Sequence, residues 1–313
     1  MKTKRDSAFY IDGGAGRVIA AIPALEKYAK NNPDDNFIVI IPGWDFLMWG
    51  NALLQDRTYS ADTKGLFENQ IKNRQVYTPE PYRVFGYYNQ ELSLAEAFDE
   101  EINNTEDHRD IGVPSLYLSK AEEKGAANLI ADVKSQQKKQ KTIVIQPYGR
   151  SARVDRGDII DDSSRGLDSR GYMSLIKKLA TKFNLILFAE KQFHQPEDTY
   201  TFKPEADLRF WSAIIEASDY FVGVDSVGQH IARAFHKPGT VIMGSTFAKN
   251  VSYPDWFNII EKKDTPKKYS PIRICGMDNH LADRYNDRLM DFTEKEIDDI
   301  FMSIVSDIDK KVK

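Results

Sequence analysis

Asp225-Ser226-Val-Gly228-Gln-His230 gathers a carboxylate, a hydroxyl, a glycine and an imidazole within six residues. Upstream, Tyr220 to Val224 is a β-branched and aromatic run suited to a buried strand. Downstream, Ile231, Ala232, Ala234 and Phe235 supply one apolar helical face. Lys237-Pro238-Gly239 stops that helix, and Thr240 to Met243 is strand-like again. The polar cluster therefore occupies a strand-to-helix turn. At such a turn, backbone N–H groups at the carboxyl edge of a parallel sheet face an anionic ligand such as a phosphate. Ser226 can cap the helix or donate to a phosphate, and Asp225 can cap it or accept from a ligand hydroxyl. Gly228 would let the backbone approach a ligand closely. His230, in the first helical turn, would be held protonated by a bound phosphate. The same residues also suit a plain N-capped helix with a solvent-exposed histidine.

A second chemical cluster opens the chain. Ala8 to Ile11 reads as a strand, Asp12-Gly13-Gly14-Ala15-Gly16-Arg17 as a glycine-rich turn, and Val18 to Ala29 as a helix. Phe37 to Ile41 is a further buried strand. The glycines allow a tight turn beside a ligand. Arg17 at a helix start opposes the macrodipole by roughly a few tenths of a kcal/mol, a cost that a facing phosphate or acid would offset. Asp12 and Asp45, the latter in Pro42-Gly-Trp-Asp45, are the carboxylates placed to act as a general base. Asp12 equally suits a turn aspartate bonded to nearby N–H groups. Arg150, in Tyr148-Gly-Arg-Ser151 after the strand Thr142 to Gln146, is a second phosphate ligand. Arg153 and Arg156 are weaker ones, because Arg153-Val-Asp-Arg-Gly-Asp alternates in sign.

Together these motifs resemble the heptosyltransferase-type glycosyltransferases, family nine of the GT-B class. Ala21-Ile-Pro-Ala-Leu25 is similar to the family's Pro-Ala-Leu helix. Val222-Gly-Val-Asp-Ser-Val-Gly-Gln-His-Ile-Ala-Arg-Ala234, Lys237-Pro238 and Met243-Gly-Ser-Thr246 are similar to its C-terminal signature. The resemblance implies an α/β fold of two facing Rossmann-like domains with a cleft between them. It implies transfer of a sugar from a nucleoside diphosphate sugar to an acceptor hydroxyl, with inversion and with no required metal or cofactor. On that reading Gly13, Gly14, Gly16, Arg17, Arg150, Glu190, Asp225, Ser226, Gly228 and His230 bind the nucleotide sugar, Glu190 at the nucleoside ribose. The acceptor is left open among a glycan, a lipid-linked sugar, a protein and a modified nucleobase. The chain departs from the family twice. Arg17 stands where the glycine loop usually ends in the aspartate base, and Val227 stands where a glycine usually follows Asp-Ser. The first departure leaves Asp12 and Asp45 as candidate bases, and it also admits a catalytically inactive GT-B module that only binds nucleotide or sugar. A nicotinamide-dependent oxidoreductase is disfavoured, because Ile40-Ile-Pro-Gly43 ends the second strand without the acidic ribose ligand.

The elements that must position these groups divide into an N-terminal domain at 1–134, a polar linker at Ser135 to Lys141, a nucleotide-sugar domain at 142–290 and a terminal helix at 291–313. Thr293-Glu-Lys-Glu296 forms a capping box for that helix. Tyr172 to Phe183 and Trp211 to Ala217 read as helices, and Leu185 to Phe188 as a strand. Trp44 to Tyr88 is irregular and rich in aromatic residues that suit either the core or an acceptor platform, with Trp44 and Trp49 nearest the second strand. The 313 residues leave room for two cores, and a net charge of −4 gives no general pull toward nucleic acid or anionic membranes. The single cysteine, Cys275, excludes a disulfide framework, and His194, His236 and His280 lack metal-ligand spacing. The N-terminal residues are charged and no segment is long and apolar enough to span a bilayer. The expectation is a cytoplasmic protein without stable membrane insertion.

Overall fold

The computed structural model describes residues 6–156, 158–161, 163–189, 200–202, 207–262 and 289–312. The chain forms two compact units, with the boundary between Leu118 and Ser119.

The first unit is built from β1 (Ser7–Tyr10), α1 (Ala15–Asn31), β2 (Phe37–Ile41), β3 (Thr58–Ser60), β4 (Gln75–Tyr77), α2 (Phe85–Tyr88) and α3 (Leu94–Asn103). Its four strands are parallel in the order β3-β2-β1-β4. Every residue of β2 is buried, as expected of a parallel strand covered on both faces. Val18, Ile19, Ile22 and Leu25 recur at helical spacing and bury one side of α1. α3 starts on a Ser93/Glu96 capping box and is tied to α1 by Lys27 Nζ on Asp99 Oδ2 at 2.8 Å. Order reverses between β1 and β4, so the crevice between their carboxyl ends is the switch point of this sheet. Short turns at Asp45–Met48, Gln55–Arg57 and Pro81–Arg83 fill much of the aromatic-rich stretch.

The second unit contains α4 (Lys120–Gln137), β5 (Thr142–Gln146), β6 (Arg153–Asp155), β7 (Asp158–Ile160), α5 (Ser169–Ala180), β8 (Asn184–Phe188), β9 (Tyr200–Phe202) and α6 (Leu208–Ala217). β10 (Tyr220–Val224), α7 (Val227–Ala234), β11 (Gly239–Met243), α8 (Ala248–Val251), β12 (Asn258–Glu261) and α9 (Glu294–Lys311) follow. Its main sheet is parallel, in the order β12-β11-β10-β5-β8-β9, and β6 and β7 form a separate antiparallel hairpin. One core joins Ile143, Leu185, Tyr220 and Val222 of the sheet to Leu175, Ile176 and Leu179 of α5. It continues to Ile297, Ile300, Ile304 and Ile308 of α9. The Thr293/Glu296 capping box forms at the start of α9.

The expected linker and the observed boundary differ. α4 runs through Ser135 to Gln137 and ends where Lys138 turns left-handed at φ 56°. Ala126, Ile130 and Val133 are buried, and Arg209 of α6 grips Glu122 with Nε and Nη2 at 2.5 and 2.9 Å. The Gln137 amide brackets Leu185 of β8, accepting from its N–H at 2.8 Å and donating to its carbonyl at 3.0 Å. The last turn of α4 thus meets the sheet through polar groups, which leaves no apolar periodicity to read. Among the described residues, no helix is long and apolar enough to cross a membrane.

Candidate functional site

In the second sheet the strand order reverses at β5 and β10, and the carboxyl ends of these two strands carry most of the residues of interest. Past β5 the chain turns through Pro147, Tyr148 and Gly149. Past β10 it passes Asp225 and Ser226 into α7. The two turns touch: a Cβ on Gly149 would lie 3.1 Å from Ser226 Oγ. Ser226 N-caps α7 without a side-chain hydrogen bond to the helix. Gln146, reaching across from β5, accepts from the Gly228 N–H at 2.9 Å instead. The Ser226 hydroxyl is thereby left for something other than capping. Gly228 has a different reason from the one its position suggests. A Cβ there would fall 2.8 Å from the Phe221 ring and closer still to Gln146 Oε1. Packing within the protein demands this glycine, and its amide is already engaged.

Asp225 is neither a simple cap nor a solvent-facing sugar contact. It is 7% exposed, accepting from Gln229 Nε2 at 3.1 Å and from Thr246 Oγ1 at 2.9 Å. Burial pushes its pKa up, opposed by Arg165 and by the Thr246 hydroxyl. Arg165 Nη1 stands 4.0 Å from Asp225 Oδ2. Sequence reasoning did not single out this arginine. It lies on a loop organised by Asp161, which accepts from the N–H groups of Ser163 and Gly166 at 2.9 Å each. Arg165 donates through Nε to Ser163 Oγ at 3.0 Å and through Nη2 to Ser151 Oγ at 3.2 Å. Ser245 fastens the loop to the turn after β11, donating from N to Ser164 O at 3.2 Å and from Oγ to Ser163 O at 2.5 Å. Asp161-x-Ser163, with its local side-chain-to-backbone bonds, was the available signal.

His230 departs furthest from expectation. It is buried, and its Nδ1 shares a 2.8 Å hydrogen bond with the Tyr253 hydroxyl. Burial pushes its pKa down to about 4, so the imidazole is neutral at pH 7 without a ligand. Its place in the first turn of α7 was legible, whereas the packing of Tyr253 against it was not. Arg150 is exposed on the turn after β5, next to Gly149. Arg153 and Arg156 are exposed on the β6–β7 hairpin, where Arg153 Nη1 is 3.8 Å from Asp155. Glu190, His194, Cys275 and His280 lie outside the described residues.

In the first unit the glycine loop follows β1. Gly13 has φ 94°, a conformation that L side chains rarely adopt, and the Arg17 side chain passes where its Cβ would be. Gly14 N-caps α1, and Gly16 falls in its first turn. The Trp44 indole donates to the Gly13 carbonyl at 3.1 Å. Arg17 turns inward. Its side chain is 4% exposed, with Nη2 at 3.2 Å from Asp12 Oδ1 and Nη1 at 3.3 Å from Glu80 Oε1. Nη2 also donates to the Pro79 carbonyl at 3.0 Å, and the guanidinium lies over the Tyr82 and Phe98 rings. Internal acids after β1 and β4 thus offset the macrodipole cost, and the guanidinium occupies this sheet's switch point. Asp12 remains about half exposed, at 47% of its side chain. Asp45 opens the short turn beside Trp44. Glu80 is 63 residues from Arg17, beyond the reach of any local pattern. Among the described residues no three His, Cys, Asp or Glu side chains come together as a metal site.

No protein-family model matches the chain, and no curated protein matches it in sequence. Solved structures do match its fold. The glycosyl transferase family 9 structure from Veillonella parvula DSM 2008 superposes with a TM-score of 0.68 at 11% identity, over 98% of this chain and 97% of that one. The E. coli ADP-heptose LPS heptosyltransferase II gives 0.65 at 12%, over 97% and 99%. TibC of enterotoxigenic E. coli, a dodecameric iron-containing heptosyltransferase in complex with ADP-D-β-D-heptose, gives 0.63 at 12%, over 98% and 78%. The chain has an α/β, GT-B-like fold.

Proposed function

We propose that this chain is a glycosyltransferase that moves a sugar from a nucleoside diphosphate sugar to an acceptor hydroxyl. The observation that carries the reading is the Arg165 guanidinium. It is held by Ser151 and Ser163 at the β5/β10 switch point, beside a helix N-terminus whose Ser226 hydroxyl is not spent on capping. The neighbours named as heptosyltransferases, one of them holding ADP-heptose, support a nucleotide sugar as the donor.

On this reading the diphosphate lies against the start of α7. Ser226 and Arg165 contact it, Arg150 screens it from the solvent side, and Asp225 with Thr246 orients Arg165. Departure of the diphosphate breaks its bond to the anomeric carbon, and the electron pair goes to the phosphate oxygen. Fixed donors aimed at that oxygen lower the barrier without a divalent ion. The acceptor oxygen attacks the anomeric carbon from the opposite face, which inverts it, and a carboxylate takes the acceptor proton. Asp12 is the first choice for that base and Asp45 the second. TibC is described as iron-containing; no residue here is assigned to iron, and no step runs through a metal.

A second reading is a module that binds a nucleotide sugar without transferring it. The feature favouring it is Arg17, which replaces the family's acid and holds one oxygen of Asp12. A thermal-shift screen of nucleoside diphosphates, followed by donor hydrolysis with the matching nucleotide sugar, separates the two. Ligand at 100 times Kd stabilises by about 2.7 kcal/mol. Stabilisation with hydrolysis supports the enzyme, and stabilisation without hydrolysis or transfer to any acceptor supports the module. No stabilisation by any diphosphate would overturn both.

A further inference from the structure

Two exposed aromatic side chains lie on segments of the first unit that meet at Gly50, Trp49 at 55% and Tyr117 at 46% exposure. The fold is built to hold them there. Gly50 adopts φ 83°, and a Cβ on it would fall 2.6 Å from Tyr117 Cβ, so the 49–50 corner rests on the stem of Tyr117. The Gly50 amide is taken by Gln55 Oε1 at 2.5 Å. Asn51, 2% exposed, donates to Glu26 Oε1 of α1 at 2.7 Å. Ser115 Oγ donates to the same oxygen at 2.5 Å. One shared node therefore fixes both aromatic segments against α1, and such a network specifies a geometry only when its members are satisfied.

The aromatic row continues inward. The Trp49 and Phe46 rings are 6.3 Å apart, and Phe46 and Trp44 are 6.0 Å apart, both pairs edge to face. Trp44 Nε1 then bonds the Gly13 carbonyl at 3.1 Å. The row thus runs from Trp49 to the loop that carries Asp12, with Asp45 beside Trp44 and Tyr117 against the Gly50 corner at its outer end.

We propose that this row is the acceptor subsite and that it binds a neutral saccharide. The inference rests on the glycosyltransferase reading and names its acceptor class. A sugar ring presents a flat face of C–H groups and a rim of hydroxyls. Indole and phenol faces bury the former, and carboxylates accept from the latter. Asp45, which opens the short turn beside Trp44, also disfavours an anionic acceptor through like-charge repulsion, whereas Asp12 is already paired with Arg17. Polar residues interrupt the patch at Asp45 and Gln55, unlike the continuous apolar surface that an acyl chain or an amphipathic helix covers.

The test is calorimetric titration of the intact chain, without donor, with malto-, cello- and chito-oligosaccharides, with oligogalacturonate, and with phosphatidylglycerol vesicles. At least one neutral oligosaccharide should bind. Trp49→Ala and Tyr117→Ala should each weaken it about three- to tenfold, and Trp49→Phe should recover part of the loss. Melting temperature and nucleoside diphosphate affinity should not move. Absence of binding by every neutral oligosaccharide overturns the proposal. Binding of only the oligogalacturonate or the vesicles, or unchanged affinity in both alanine variants, does the same. Because no donor is present, a failure of nucleotide binding counts against the donor site and does not alter this result.

Discussion

Replacing Arg165 by alanine removes a guanidinium that is pre-oriented before any ligand arrives. Two of its nitrogens are fixed at 3.0 and 3.2 Å by serine hydroxyls, and the third stands 4.0 Å from Asp225. A hydrogen bond to a charged group contributes roughly 1.5–3 kcal/mol, and little ordering entropy is spent on a side chain already held. The affinity for the preferred nucleoside diphosphate should therefore fall about 10- to 150-fold. A second effect runs through the protein itself. Asp225 is buried with a raised pKa and loses its nearest cation; because Arg165 is about one-third exposed (34%), solvent screening keeps that contribution small. Arg165→Lys retains the charge but not the planar fork, and should fall between parent and alanine. Titration calorimetry at fixed ionic strength, paired with urea denaturation of each variant, separates lost contact from lost stability. If Arg165→Ala binds the diphosphate as tightly as the parent chain, the donor site has been placed on the wrong residues.

Asp12→Asn should leave donor affinity nearly intact while the transfer rate falls by a factor of about 10²–10⁴. Asp45→Asn should behave this way only if Asp12 is structural, and initial rates beside nucleotide titrations decide between them. If Ser226 and the Arg165 guanidinium carry the diphosphate charge as proposed, transfer should persist in excess EDTA; loss of activity restored by magnesium or manganese would refute this. His230 gives a pH signature. Its folded pKa of about 4 lies below the ordinary 6.5 because of burial. Above pH 6.5 the group is neutral in both states and its contribution is complete. Between pH 6.5 and 4 the unfolded chain takes up the proton first, and stability falls by about 3 kcal/mol in total. Urea midpoints at neutral and acid pH should converge in His230→Gln relative to the parent, and an unchanged difference would show that another group carries the acid sensitivity.

Elements whose signal is local were legible without the fold. Phe37–Ile41, Thr142–Gln146 and Tyr220–Val224 are runs dominated by β-branched and aromatic residues, and each forms the strand its composition implies. The Thr293/Glu296 box starts α9 as its spacing requires, and the isoleucines at 297, 300, 304 and 308 bury one face. The turn carrying Asp225 and Ser226 was equally visible, because capping residues and strand ends are written within a few positions of each other. Three-residue strands such as Thr58–Ser60 and Gln75–Tyr77 were not; runs that short carry no period, and pairing with β2 and β1 creates them. The environment of each site residue was also a tertiary decision. Arg17 meets Glu80 only because β4 lies beside β1. Arg165 reaches Asp225 only because the loop after β7 is fastened to the turn after β11. The His230 pKa is lowered because the fold buries the imidazole, with Tyr253 hydrogen-bonded against it. Backbone propensity acts over a few residues, whereas desolvation and charge pairing depend on which distant segment supplies the neighbouring wall. The chemical groups could therefore be named from the sequence, but their charge states and partners were set by strand order.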